Sequence, residues 1–289
     1  MALKSPQEIL QSVEDLGVSK GTASLRKLVL LSFLAGIFLS TGGLISAIGA
    51  SRQYETAVDG SVVVVSHFSH YFTYAALFPI GLILIFCCGA ELFTGNNLYL
   101  LVPFLSKKIS IKQVLYNWGV VWVGNFIGSI FAIFVFARFT GIVSDGSSTA
   151  AFIADLAEFK VGLSPVEIFF RGIGSNFLIC AGSWFAVGAG DMISKAFAIW
   201  LPAMTFVFVG FEHSIANMFS VPLGWIVDAD FSFWEIFVQI ILTTIGNVVG
   251  GCCLVALVYY YSLGPIQPIK KDLELADPKD VPEEVEVEV

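Results

Sequence analysis

The stretch Gly89-Ala-Glu-Leu-Phe-Thr-Gly-Asn96 and its counterpart Gly210-Phe-Glu-His-Ser-Ile-Ala-Asn217 are polar interruptions in long apolar runs. Both read Gly-x-Glu-x-x-x-x-Asn. Each is followed by a Gly-Asn-x-x-Gly motif, Gly124-Asn125-Phe-Ile-Gly128 and Gly246-Asn247-Val-Val-Gly250. From Glu91 to Asn125 is 34 residues, and from Glu212 to Asn247 is 35. Two motifs in register at nearly one separation mark an internal repeat. With three membrane spans per copy, an odd number, the copies run in opposite senses across a bilayer. Irregular backbone at membrane depth is tolerated only where protein or a water-filled cavity satisfies its polar groups. Paired breaks in inverted repeats are the pattern of transporters and channels. The breaks are therefore the expected permeation site.

Composition agrees. The 289 residues are 56% hydrophobic and 13% charged, with a mean hydropathy of +0.83. Soluble domains carry ~25% charged residues, so an ordinary soluble enzyme, a disordered protein and a nucleic-acid binder are excluded. Between Leu28 and Gln267 there are 8 Lys/Arg and 12 Asp/Glu. The net charge of −8 comes mostly from Lys270–Val289, with 3 basic and 8 acidic residues. Cys87, Cys88, Cys180, Cys252 and Cys253 lie in apolar runs without a CxxC pair, so neither zinc nor a disulfide framework is expected, and no cofactor. The polar first 27 residues and the long apolar run after them do not fit a cleaved signal peptide.

A spanning helix needs ~20 apolar residues. Six candidates follow, at Leu28–Ala50, Tyr71–Leu105, Val114–Ala137, Ser164–Ala189, Ala196–Val221 and Phe231–Tyr261. Counting Lys/Arg in alternate loops, with Arg171 inside span four left out, puts eleven on the side of the N-terminus and three opposite. The positive-inside rule then makes both termini cytoplasmic, with the cell membrane as the expected location. The organisation expected is a cytoplasmic segment over 1–27, a six-helix domain over 28–263 and an acidic, disordered cytoplasmic tail over 264–289. From Tyr71 to Ser106 there are 36 residues and one charge, Glu91. As one helix that would be ~54 Å long against a hydrocarbon core of ~30 Å, so a break within Gly89–Asn96 is expected.

A charge at the bilayer centre costs ~2.5–3.5 kcal/mol even on the lenient scale, so Glu91, Glu212 and His213 must face protein or water. His213 is the midplane group able to exchange a proton near neutrality; capping the broken helix is its structural alternative. His67 and His70, at the edge of span two, read as solvated surface residues. Thr94 is suited to orient the His213 imidazole or to hydrogen-bond a passing anion. Glu91 and Glu212 read as supports of the broken helices, with Asn96 and Asn217. Asn125 reads as scaffolding that hydrogen-bonds unwound backbone, while Asn247 fits scaffold or pore. Lys27 and Lys160 precede spans one and four and would draw anions to the two mouths; a positive-inside anchor and a snorkelling side chain are the alternatives.

Together, Glu91-Leu-Phe-Thr-Gly-Asn96, Gly210-Phe-Glu-His-Ser-Ile-Ala-Asn-Met-Phe219 and the two Gly-Asn motifs closely resemble the formate/nitrite transporter family over Leu28 to Tyr261. The resemblance implies an all-α membrane protein, an aquaporin-like inverted 3+3 repeat with helices 2 and 5 broken, assembled as a homopentamer with one pore per protomer. It implies small monovalent weak-acid anions as substrates, formate favoured and nitrite, lactate, acetate or hydrosulfide as alternatives, moved by a pH-dependent channel or with protons. Partners are then the anion, protons, lipid and further copies of the chain. The family's central histidine falls on His213 and the threonine of its break on Thr94. The outer constriction falls on Phe78 and Phe206, and the inner one on Leu82 and Leu92 with Phe93 nearby. The vestibular lysine falls on Lys160, associated with Glu212 and Asn217, and the pore-facing asparagine on Asn247. Two rivals are weaker. A water channel would carry Asn-Pro-Ala in both breaks, and this chain has none. An intramembrane hydrolase using Ser175 with His213 leaves the repeat without a reason.

Overall fold

The computed structural model describes residues 3–52, 54–56, 62–64 and 67–264. The acidic tail beyond Gly264, expected to be disordered, lies outside them. Helix α1 (Pro6–Gly21) precedes the first span, α2 (Leu25–Ser51). A short antiparallel hairpin of β1 (Tyr54–Thr56) and β2 (Val62–Val64) follows. The second span is α3 (His67–Leu77), α4 (Pro79–Cys88) and α5 (Phe93–Leu105), and the third is α6 (Ile111–Ala132), continuing as a π-helical turn over Ile133–Arg138. The second half runs α7 (Ser148–Val161), α8 (Pro165–Gly188), α9 (Met192–Val209), α10 (Ser214–Ile226) and α11 (Phe233–Gly251). It ends in a π-helical turn over Cys252–Ala256 and α12 (Leu257–Leu263).

Among the described residues, five stretches are long and apolar enough to cross a membrane: Leu25–Ser51, Phe68–Cys88, Ile111–Arg138, Met192–Val209 and Phe233–Leu263. The fourth expected span, α8, is not among them. It carries Glu167 and Arg171 in its first two turns and Ser175 and Asn176 in its middle, and it is held by packing instead. Glycines explain that packing. A Cβ on Gly128 of α6 would lie 2.1 Å from the Phe33 carbonyl of α2, and one on Gly250 of α11 would lie 2.2 Å from the Ile173 carbonyl of α8. Removing the side chain lets backbones approach where lipid supplies no hydrophobic driving force.

Both expected breaks are present but shorter than the motifs that mark them. Gly89 (φ +74°) ends α4 and Gly210 (φ +79°) ends α9, each in the left-handed conformation that glycine adopts at no steric cost. The chain is helical again from Phe93 and from Ser214. Thr94, Asn96 and Asn217 therefore sit in the first turns of the new helices rather than in the breaks.

The repeat is larger than three spans per copy. Lys20 and Ser24 recur as Lys160 and Ser164 at an interval of 140 residues, and at the same interval the carbonyls of Leu31 and Phe33 make the backbone contacts that those of Arg171 and Ile173 make. Helix α1 thus corresponds to α7, and each copy is an amphipathic helix followed by three spans. Helix α1 begins at a capping box, with Ser5 as N-cap, Pro6 in the first turn and Glu8 returning to the Ser5 N–H. That N–H holds the Glu8 carboxyl below the ordinary carboxylate range. On its other side α1 packs against α5, where Gly17 faces the Tyr99 carbonyl and the Pro103 ring. Buried Glu14 pairs there with Lys108.

Candidate functional site: a conduit between two half-helices

Within each break, one asparagine holds the unwound backbone. Asn125 Oδ1 accepts from the Phe93 N–H at 3.0 Å, while its Nδ2 donates to the Ser32 and Glu91 carbonyls at 2.8 and 2.9 Å. Asn247 repeats this with the Ser214 N–H at 2.8 Å and the Gly172 and Glu212 carbonyls at 2.8 and 3.0 Å. Both asparagines are buried, so each satisfies three backbone groups that water cannot reach. Asn247, an expected pore residue by resemblance, makes the same three bonds as the scaffold residue Asn125.

The glutamates form a second matched layer. Glu212 takes both oxygens to Lys160 Nζ at 3.0 Å and accepts from Asn217 and Gln239 at 2.7 Å. Glu91 pairs with Lys20 Nζ at 2.9 Å and accepts from Asn96 at 2.9 Å. Lys20 is therefore the counterpart of Lys160. Lys27, expected in that role, is exposed in the first turn of α2, lines neither cavity described below, and corresponds by the 140-residue interval to Glu167. The signal was available: Lys20 and Lys160 each stand four residues before the serine that caps a span, Ser24 or Ser164.

The two half-helices meet through Thr94 and His213, with Oγ1 and Nε2 3.0 Å apart. His213 is the N-cap of α10, and its Nδ1 accepts the Ala216 N–H at 3.2 Å. An accepting Nδ1 leaves the ring proton on Nε2, so the imidazole is neutral and donates to Thr94. The cap of α10 and the contact with Thr94 are thus made by the two nitrogens of one ring. Leu92, its repeat equivalent, caps α5 with no side-chain bond. Above the imidazole, the Phe206 ring stacks at 5.6 Å and meets Phe78 edge-on at 5.7 Å. Leu82 and Leu92 are buried in the same apolar cluster. Phe93, in that cluster too, packs edge-on against Trp118 at 6.0 Å.

A cavity opens on each side of this plug. One, of about 520 Å³, is lined by Phe78, Lys160, Phe206, Glu212, His213 and Asn217, together with Tyr74, Phe159 and Arg171. The other, of about 640 Å³, is lined by Lys20, Ile85, Leu92, Asn96, Tyr99 and Lys195, with Lys4, Ser12, Asp15 and Leu16 contributed by α1. The participation of α1, of Arg171 and of Ile85 was not anticipated; a search for partners of Glu91 outside the apolar runs would have pointed to α1. His70, expected to be solvated, is buried at the wall of the first cavity, while the side chain of His67 lies outside the described residues. Ser175 is buried and absent from the His213 hydrogen bonds described, so the hydrolase pair is not assembled. Among the described residues no cluster of His, Cys, Asp and Glu could hold a metal.

The profile of the formate/nitrite transporter family matches residues 7–261. The chain is similar to YrhG, a transporter of Bacillus subtilis strain 168, at 34% identity over 95% of this chain and 99% of that protein. It is 33% identical to a protein of Methanothermobacter thermautotrophicus described as a probable formate transporter, over 90% and 97% of the two chains. A solved structure described as a pentameric formate channel with formate bound superposes with a TM-score of 0.71 at 29% identity, covering 81% of this chain and 96% of that one.

Proposed function

This chain belongs to the formate/nitrite transporter family, and we propose that it moves formate, or a similarly small weak-acid anion, through one pore per protomer of a homopentamer in a cell membrane. Both termini are cytoplasmic on this reading, and the Lys160 cavity faces outward. The observation that carries it is the Thr94–His213 contact, placed between two cavities and beneath the Phe78–Phe206 pair. Stripping a carboxylate of water costs several kcal/mol or more, and an anion losing water gains affinity for a proton. As a neutral acid it crosses the apolar rings far more cheaply. With Nδ1 engaged by Ala216, His213 serves as hydrogen-bond donor through Thr94, and the proton that neutralises the substrate comes from the cavity water.

Uptake of labelled formate into proteoliposomes tests this directly, with nitrite, lactate, acetate and hydrosulfide as the comparison panel. Formate uptake is expected to rise when the outside is made more acidic and to carry little net charge. Failure to move any member of the panel would overturn the assignment. His213→Phe removes both the cap of α10 and the donor to Thr94, and a loss of at least about tenfold in uptake is expected for roughly 1.4 kcal/mol per decade. His213→Asn keeps a good N-cap and should retain measurable, acid-stimulated uptake. Unchanged uptake in the phenylalanine variant would remove His213 from the pathway.

A further inference from the structure

Lys160 is the obvious cation of the cavity between Phe206 and α7, yet its charge is already matched. Both Glu212 oxygens lie 3.0 Å from its Nζ. Arg171, on α8 and lining the same cavity, is placed differently. One guanidinium N–H donates to the Gly210 carbonyl at 3.2 Å. The acid found within ion-pair range, Glu167, stands 4.0 Å away, longer than a hydrogen bond. Its other oxygen is committed to capping Ser164. The guanidinium carbon lies over the Phe159 ring, 5.5 Å from its centre, and the side chain is 29% exposed. Asp155 and Glu212 are the acids on the cavity wall.

A guanidinium carries five N–H donors in a planar fork, and the Gly210 carbonyl uses one of them. The remainder match an anion that presents two oxygens in a plane, a geometry that an ammonium cannot reproduce and a single-centre anion cannot exploit. The counterpart of Arg171 in the other half is Leu31, whose carbonyl accepts the Glu91 N–H as that of Arg171 accepts the Glu212 N–H. Among the described residues the feature therefore exists on one face alone. Resting on the transport reading above, we propose that Arg171, seated on Phe159, is the docking residue for planar two-oxygen anions such as formate and nitrite at the Lys160 mouth.

The test is Arg171→Lys in right-side-out and inside-out vesicles, with formate and hydrosulfide as substrates. Lysine keeps the charge and can still reach the Gly210 carbonyl, so thermal stability should hold. The KM for formate is expected to rise about five- to tenfold, the loss of one charged hydrogen bond. That rise is expected from the Lys160 face only, with the maximal rate and the hydrosulfide KM unchanged. Arg171→Gln, which keeps a planar donor without charge, should raise the formate KM further. Unchanged formate KM from both faces, an equal shift for hydrosulfide, or a fall in maximal rate alone would overturn the proposal. A wild-type protein that moved neither anion would overturn the transport reading instead.

Discussion

Replacing Asn247 with leucine is expected to abolish transport and to cost the protein a large part of its stability. The two side chains share their branching and heavy-atom count, so the change removes polarity while keeping the outline of the side chain. Its three partners are the Ser214 N–H and the Gly172 and Glu212 carbonyls, at 2.8, 2.8 and 3.0 Å. Each buried group left without a partner costs about 1–3 kcal/mol, and a whole protein is stable by only about 5–15 kcal/mol. The thermal midpoint of the purified protein in detergent should fall by about 10 °C or more, at ~2–4 °C per kcal/mol for a chain of this size. Asn125→Leu should behave alike, because Asn125 makes the equivalent three bonds. Asn247→Asp keeps the acceptor for Ser214 but loses both donations, and should fall between wild type and leucine. An Asn247→Leu protein with an unchanged midpoint and altered substrate preference would show a pore residue instead of a brace.

Breaking the Lys160–Glu212 pair from one side should be nearly as damaging, and breaking it from both sides much less so. Glu212 is 1% exposed and the Lys160 side chain 12% exposed. Removing one partner of such a pair leaves an uncompensated charge, at about 3–5 kcal/mol, whereas a neutral replacement of both is often tolerated. Lys160→Met and Glu212→Gln are each expected to lower the thermal midpoint sharply, and the double variant to recover at least half of the loss. The formate KM of the double variant should change little, because the pair is neutral as a unit. The same cycle at Lys20–Glu91 should give a smaller coupling, since Lys20 makes one contact rather than two and is 18% exposed. Additive losses at Lys160 and Glu212 would mean that the two charges act separately, and would return Lys160 to the role of a free attractor of anions.

Much of this architecture is legible because its signals are local or periodic. An isolated glutamate in an apolar run, flanked by glycine and asparagine, announces a break wherever it sits. The recurrence of the Glu–Asn spacing announces the inverted repeat. The amphipathic helices α1 and α7 escaped because they carry too much charge to resemble spans and too little apolar face to resemble a core. Their starts were nonetheless written in Ser5-Pro-Gln-Glu8 and in Ser147, which cap them. Lys27 stands nearer the apolar run than Lys20, and proximity to that run points to Lys27 alone. The interval of 140 residues, running unbroken from Lys20 to Phe33, pairs Lys27 with Glu167 instead.

The amino-acid order alone determined which apolar runs are long helices, where two of them break and that one half of the chain repeats the other. Each of these follows from the length of apolar runs, from glycine at positive φ and from the cost of a charge in hydrocarbon. Only the tertiary structure decided which groups meet. Thr94 and His213 are 119 residues apart, and Lys20 reaches Glu91 from a helix outside the spans. Such contacts depend on the crossing of two half-helices and on the direction in which each side chain leaves its backbone. No periodicity encodes either, and for that reason the cation left facing the cavity, Arg171, emerged only from the assembled fold.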